Sequence, residues 1–127
     1  MIREMALALA MVLLPSVLLF GAADGSWLKG VPSRDHEKTS PYHTQADAIA
    51  AGRKIFLDRC AQCHGENAEG TRKRPALKSA RVQQEATEGD LHWLLVNGNM
   101  RKGMPSWAKL PDQQLWQVIS YVKSLHE

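Results

Sequence analysis

The chain has 127 residues, enough for one small domain and short of two. Its net charge of +3 is too mild for a nucleic-acid binder, which needs a denser basic stripe. A core of this size is marginal by itself, so the fold needs a staple beyond its own apolar side chains.

Residues 5–23, MALALAMVLLPSVLLFGAA, form an uncharged apolar run of 19 residues behind Arg3 and Glu4. The small residues Gly21, Ala22 and Ala23, with Pro15 upstream, suit a cleaved export signal. The run length favours the alternative, a retained membrane anchor; of the two, the cleaved signal is the preferred reading. Either way the remainder is exported, to the periplasm or the outer face of the cytoplasmic membrane. Residues 24–43 read as a linker or arm, with Gly25, Gly30, Pro32, Ser33, Ser40 and Pro41 and no period. A flexible arm of this length reaches roughly 25 Å. Trp27 and Tyr42 stand out in it, either docked on the domain or lying at a membrane interface. Residues 44–127 are the domain.

The pattern predicts a first helix over 45–59, with Thr44 and Asp47 as a capping box. Ile49, Gly52, Phe56 and Cys60 follow helical spacing. Gly52 costs about 1 kcal/mol relative to Ala inside a helix, which points to close approach by another element. A polar loop over 65–84 precedes a second helix over 89–96, framed by Thr87, Asp90 and Gly98. A further loop over 97–110 carries Gly103-Met104-Pro105. The last helix opens with Pro111 at its first position, and Leu115, Val118, Ile119, Val122 and Leu125 repeat at three and four, leaving Lys123 outside. No stretch alternates like a strand, so the fold class is all-α: three to four helices with long loops.

Cys60-Ala61-Gln62-Cys63-His64 has the C-x-x-C-H spacing of covalent haem attachment. Two thiols on one turn can add to the two vinyl groups at one edge of the macrocycle, and the adjacent imidazole then lies under the iron. A disulfide over so short a loop would stabilise little. A redox dithiol needs a βαβ setting, and a structural zinc needs four ligands. Met100 and Met104 are the methionines beyond the apolar run. Met104 is the stronger sixth ligand. Pro105 holds it extended, and Gly103 lets the chain pass close to a flat cofactor. Filling a core gap is the commoner use of Met. His92 would give a bis-His site but falls off the face of Leu91, Leu94 and Leu95. His36, His43 and His126 read as solvated.

Over about 48–125 the chain resembles the small class I c-type cytochromes, with one covalently bound haem c at the centre of the fold. The resemblance implies that Gly52 and Phe56 cross the last helix at Val118 and Tyr121. It implies that the carbonyl of Pro75, eleven residues after His64, accepts the ring N–H of the iron-bound histidine. It implies that Leu77 packs on the haem and that Trp107 closes the pocket behind Met104. Trp93, Asn97, Arg101 and Trp107 are the candidates for contact with the propionates.

With His64 and Met104 both on the iron, no open position remains for a substrate, so the chain reads as an electron carrier and not an enzyme. Its partners are redox proteins. Arg59, Arg72, Lys73, Arg74, Lys78 and Arg81 are placed to steer docking onto an acidic one. Two alternatives stand beside this: a cytochrome subunit of a larger dehydrogenase or oxidase, and a haem enzyme or gas sensor with an open sixth position.

Overall fold

A computed structural model describes residues 25–126. The apolar run and both roles expected of it lie outside these residues. Five α-helices occur in the described chain: α1 (Ser33–His36), α2 (Ala46–Arg59), α3 (Ala61–His64), α4 (Glu88–Asn97) and α5 (Asp112–Lys123). Short 3-10 turns, Ser26–Gly30 and Met100–Lys102, and one π-type turn, Arg81–Glu85, punctuate the loops. The only β pairing among the described residues is an isolated bridge between Asn99 and Met104.

The frame is α2 packed against α5. Gly52 is buried on α2, and a Cβ there would run into the backbone carbonyl of Gln117 and lie 3.0 Å from Tyr121 Cβ. One turn on, Phe56 is fully buried and meets the Tyr121 ring at 5.3 Å, tilted by 54°. The apolar face of α5, Leu115, Val118, Ile119 and Val122, is buried as its period implied. Pro111 is the N-cap of α5, one place before the first helical position expected for it. The expected capping box of Thr44 and Asp47 is not formed; Gln45 caps α2 without a side-chain bond. The helix opens at Ala46, so Thr44 is not the N-cap and Asp47 stands at the second helical position, out of register for the box.

On α4 the capping box does form. The Thr87 N–H donates to Asp90 Oδ2 at 2.8 Å, and Asp90 N–H donates to Thr87 Oγ1 at 3.1 Å. Asp90 is only 1% exposed, and its other oxygen accepts from His36 Nδ1 at 2.9 Å. His36 is thus bound to the domain and not simply solvated. The segment before α2 lies along α4 and α5. Thr87 Oγ1 donates to the His36 carbonyl (2.7 Å), Ser40 N–H donates to Glu88 (2.7 Å), and the buried Ser40 and Ser120 hydroxyls are 3.1 Å apart. His43 lies 3.5 Å from Glu88. Tyr42 packs against the core. Lys123 also departs from its expected solvent position. Its ammonium donates to the Val82 (2.8 Å), Gln83 (3.1 Å) and Ala86 carbonyls, closing the end of the π-type turn. Burial lowers the Lys123 pKa, against the nearby charges of Glu88 and Asp90.

Gly52→Ala tests the helix crossing. Alanine gains about 1 kcal/mol of helix propensity, but overpacking against a backbone carbonyl costs up to about 3 kcal/mol. The expected net loss is about 2 kcal/mol in denaturant unfolding. Unchanged or raised stability would mean that the helices do not meet there.

Candidate functional site

The site is built on the joint between α2 and α3. The Cys60 N–H still bonds the Phe56 carbonyl at 2.8 Å, and the chain then turns once more, with Cys63 N–H and His64 N–H both bonded to the Cys60 carbonyl (3.1 and 3.0 Å). Gly65, at φ +86°, ends the turn. Residues at i, i+3 and i+4 share a helical face, so Cys60, Cys63 and His64 come to one side. All three line a single cavity of about 470 Å³. That volume lies in the range of roughly 300–1,000 Å³ common for cofactor sites.

Its walls come from every part of the fold: Phe56 from α2, Leu77 from the first loop, Leu91, Leu94 and Leu95 from α4, and Val118, Ile119 and Val122 from α5. Pro75, Met104 and Trp107 line it too. Met100 points elsewhere, at 72% exposure. Of the four candidates for propionate contact, Trp107 alone lines the cavity. Trp93 meets the 25–45 segment near Gly30, Asn97 turns back to the Trp93 carbonyl (2.8 Å), and Arg101 is exposed. The basic residues that do line it are Arg59, Lys73, Arg74, Arg81 and Lys102. His92 is occupied elsewhere: it stacks on Trp116 at 4.2 Å and donates to Asp112 at 2.6 Å. His126 is exposed at the chain end.

Two loops contribute to the cavity wall. In the first, His64 Nδ1 lies 3.2 Å from the Pro75 carbonyl. A carbonyl only accepts, so Nδ1 carries the proton and Nε2 keeps its lone pair. Burial lowers the His64 pKa; the Pro75 bond opposes this, and the charge of Arg74 adds to it. The ring is therefore neutral at neutral pH, the form that binds a metal. Burial, and next the neighbouring Cys63, push the Cys60 thiol up to about 11. No disulfide joins Cys60 to Cys63. In the second loop, Asn99 and Met104 exchange backbone bonds of 2.8 and 3.0 Å, and Gly103 turns the chain at φ +81°. Trp107 N–H then anchors the loop to the Leu95 carbonyl at 2.7 Å. Arg74 joins the two loops: it precedes Pro75 in the first, and its guanidinium donates to the Lys102 carbonyl in the second.

An apolar slot with two thiols and a neutral imidazole on one wall, and a thioether loop among the others, fits a haem bound through its edge. Comparison with known proteins decides the family. Residues 47–122 match the family described as cytochrome C oxidase, cbb3-type, subunit III. The chain belongs to this family of c-type cytochromes. It is a monohaem cytochrome with covalent haem c. Cytochrome c550 of Pseudomonas aeruginosa is 33% identical over 93 residues, 68% of this chain and 61% of that protein. The cbb3-type cytochrome c oxidase subunit FixP of Rhizobium meliloti is 31% identical over 84 residues, 65% of this chain but 29% of that protein. The chain thus spans about three fifths of the first relative and under a third of the second. Among solved structures, cytochrome cL of Methylophaga aminisulfidivorans aligns with a TM-score of 0.59 at 28% identity, over 68% of this chain and 58% of that one. Cytochrome cL of Hyphomicrobium denitrificans shares the fold, with a TM-score of 0.58 at 18% identity over 84% of this chain and 72% of its own.

The sequence reading missed Gly25 and Trp27 as cavity residues. The available signal was a large aromatic side chain in a polar segment, which has reason to be buried.

Because the haem is covalent, it should stay with the chain through denaturing electrophoresis and stain there by its peroxidase activity. The double variant Cys60→Ala, Cys63→Ala should lose that stain. Persistent staining of the double variant would show that the attachment lies elsewhere.

Proposed function

We propose that this chain is a one-electron carrier outside the cytoplasm, with haem attached through Cys60 and Cys63 and its iron held by His64 and Met104. The observation that carries the proposal is the meeting of these four residues on one apolar cavity. Bound haem c supplies the one-electron couple. The protein does the rest. Pro75 orients the His64 ring and strengthens its donation through the Nδ1–H bond. Leu77 and Trp107 pack the cavity, and the aliphatic walls keep water out. Held by both His64 and Met104, the iron would have no position left for a substrate, which suits a carrier and not an enzyme. The apolar run over 5–23 and the attachment motif support export.

The absorption spectrum of the holoprotein is the test. A six-coordinate low-spin form with a methionine–iron band is expected, and Met104→Ala should lose that band and gain rapid CO binding. An unchanged spectrum in Met104→Ala would refute the ligand assignment. A high-spin wild type that binds CO rapidly would favour an enzyme or gas sensor.

Arg74 holds the Met104 loop against the His64 loop. Its removal should let imidazole displace Met104 about fivefold more readily, the equivalent of about 1 kcal/mol for one net hydrogen bond. Equal imidazole affinity in Arg74→Ala would show that the clamp does not restrain the loop.

The exposed Arg59, Lys73 and Lys102 among the lining residues, with Arg72 and Lys78 beside them, support docking onto an acidic redox partner. Reduction by such a partner should slow as ionic strength rises; salt independence would remove the steering role.

The family description and the FixP relative favour a second reading, in which the chain serves as a cytochrome subunit of an oxidase. Copurification with a larger complex from native membranes would select it over a free shuttle.

A further inference from the structure

The segment before α2 lies outside the family match at 47–122, yet it reaches the haem cavity. Trp27 sits on the 3-10 turn Ser26–Gly30, is half-buried, lines the cavity and packs on the core. Gly25 before it is buried at φ +73°, and a Cβ there would strike the Arg81 side chain, itself a lining residue. The start of the strap is therefore fitted to the cavity wall, not draped near it.

The far end of the strap is fastened to the first turn of α4. A Cβ on Gly89 would run into the Asp35 carbonyl and lie 2.8 Å from the Lys38 carbonyl. His36 bonds the buried Asp90, and Ser40 bonds Glu88. Between one and two turns further along α4, Leu94 and Leu95 line the cavity. One rigid helix thus carries both the anchor of the strap and a wall of the site.

We infer that Trp27 is a wall of the haem cavity, and that the docking of its strap at Gly89 and Asp90 positions it there to exclude water. The inference rests on the reading of this cavity as the haem site. Its consequence is electrostatic. Water solvates the more charged oxidised centre better than the reduced one, so an opened wall favours oxidation and lowers the reduction potential. Trp27 is a positioning and shielding residue here, and no bond to the iron is involved.

Spectroelectrochemical titration of the holoproteins tests it, with the absorption spectrum recorded for each. The set is wild type, Trp27→Ala, Trp27→Phe, Gly89→Ala and the double variant Trp27→Ala, Gly89→Ala. Trp27→Ala should lower the potential, and Trp27→Phe should restore most of the wild-type value. Gly89→Ala, which pushes the strap away without touching the cavity, should also lower it. The double variant should fall no further than Trp27→Ala alone, because both changes remove the same wall. Haem-bearing, low-spin Trp27→Ala and Gly89→Ala proteins with the wild-type potential would overturn the inference. A shift in Trp27→Ala alone would overturn the positioning role of the strap. If Trp27→Ala does not accumulate, Gly89→Ala against wild type decides alone. Absence of c-type haem from the wild type would overturn the parent reading, which the spectrum reports separately from the potential.

Discussion

Everything around the cavity depends on how closely α2 can approach α5. Gly52 has no side chain, so the helix backbone can meet the Gln117 carbonyl directly. That contact puts Phe56 against Tyr121 one turn later and brings the end of α2 to the inner face of α5. Cys60 follows four residues after Phe56, on the same helical face. The single turn of α3 then delivers Cys63 and His64 to that side as well. A wider crossing would move both thiols and the imidazole away from Val118, Ile119 and Val122, which line the same cavity. The fold and the site therefore share one steric constraint.

The electrostatics of the site are consistent with metal binding in a dry cavity. Burial disfavours the charged forms of both His64 and Cys60. The Pro75 carbonyl fixes the proton on Nδ1, which leaves Nε2 with a lone pair. Fixed charges are kept to the rim, where Arg59, Lys73 and Lys102 remain in water. This division of apolar interior and basic rim suits a carrier that must hold its cofactor away from solvent and still meet a partner.

The parts legible in the sequence were those with a local signature. The period of α5, the capping box of α4 and the cysteine–histidine turn all depend on residues within a few positions of one another. Met104 was readable from its neighbours Gly103 and Pro105, whereas Pro75 became readable only through resemblance to a family, because the contacts between those loops span long stretches of chain. Residues 25–43 were harder still. Their composition is that of a linker, and their order comes from single long-range pairs such as Ser40 with Ser120 and His36 with Asp90. No periodicity records such pairs. Lys123 was misplaced for the same reason: its period is that of an exposed position, but its long stem lets the ammonium fold back onto the Val82 and Gln83 carbonyls.

The central claim is that Met104 and His64 together hold the iron of a haem attached at Cys60 and Cys63. X-ray absorption at the iron edge of the oxidised holoprotein tests it most directly, because a sulfur donor is distinguished from nitrogen by bond length and scattering. The account predicts one sulfur ligand beside the nitrogens of the ring and His64, lost in Met104→Ala. A first shell of nitrogen alone in the wild type, or a sulfur that survives the substitution, would contradict it.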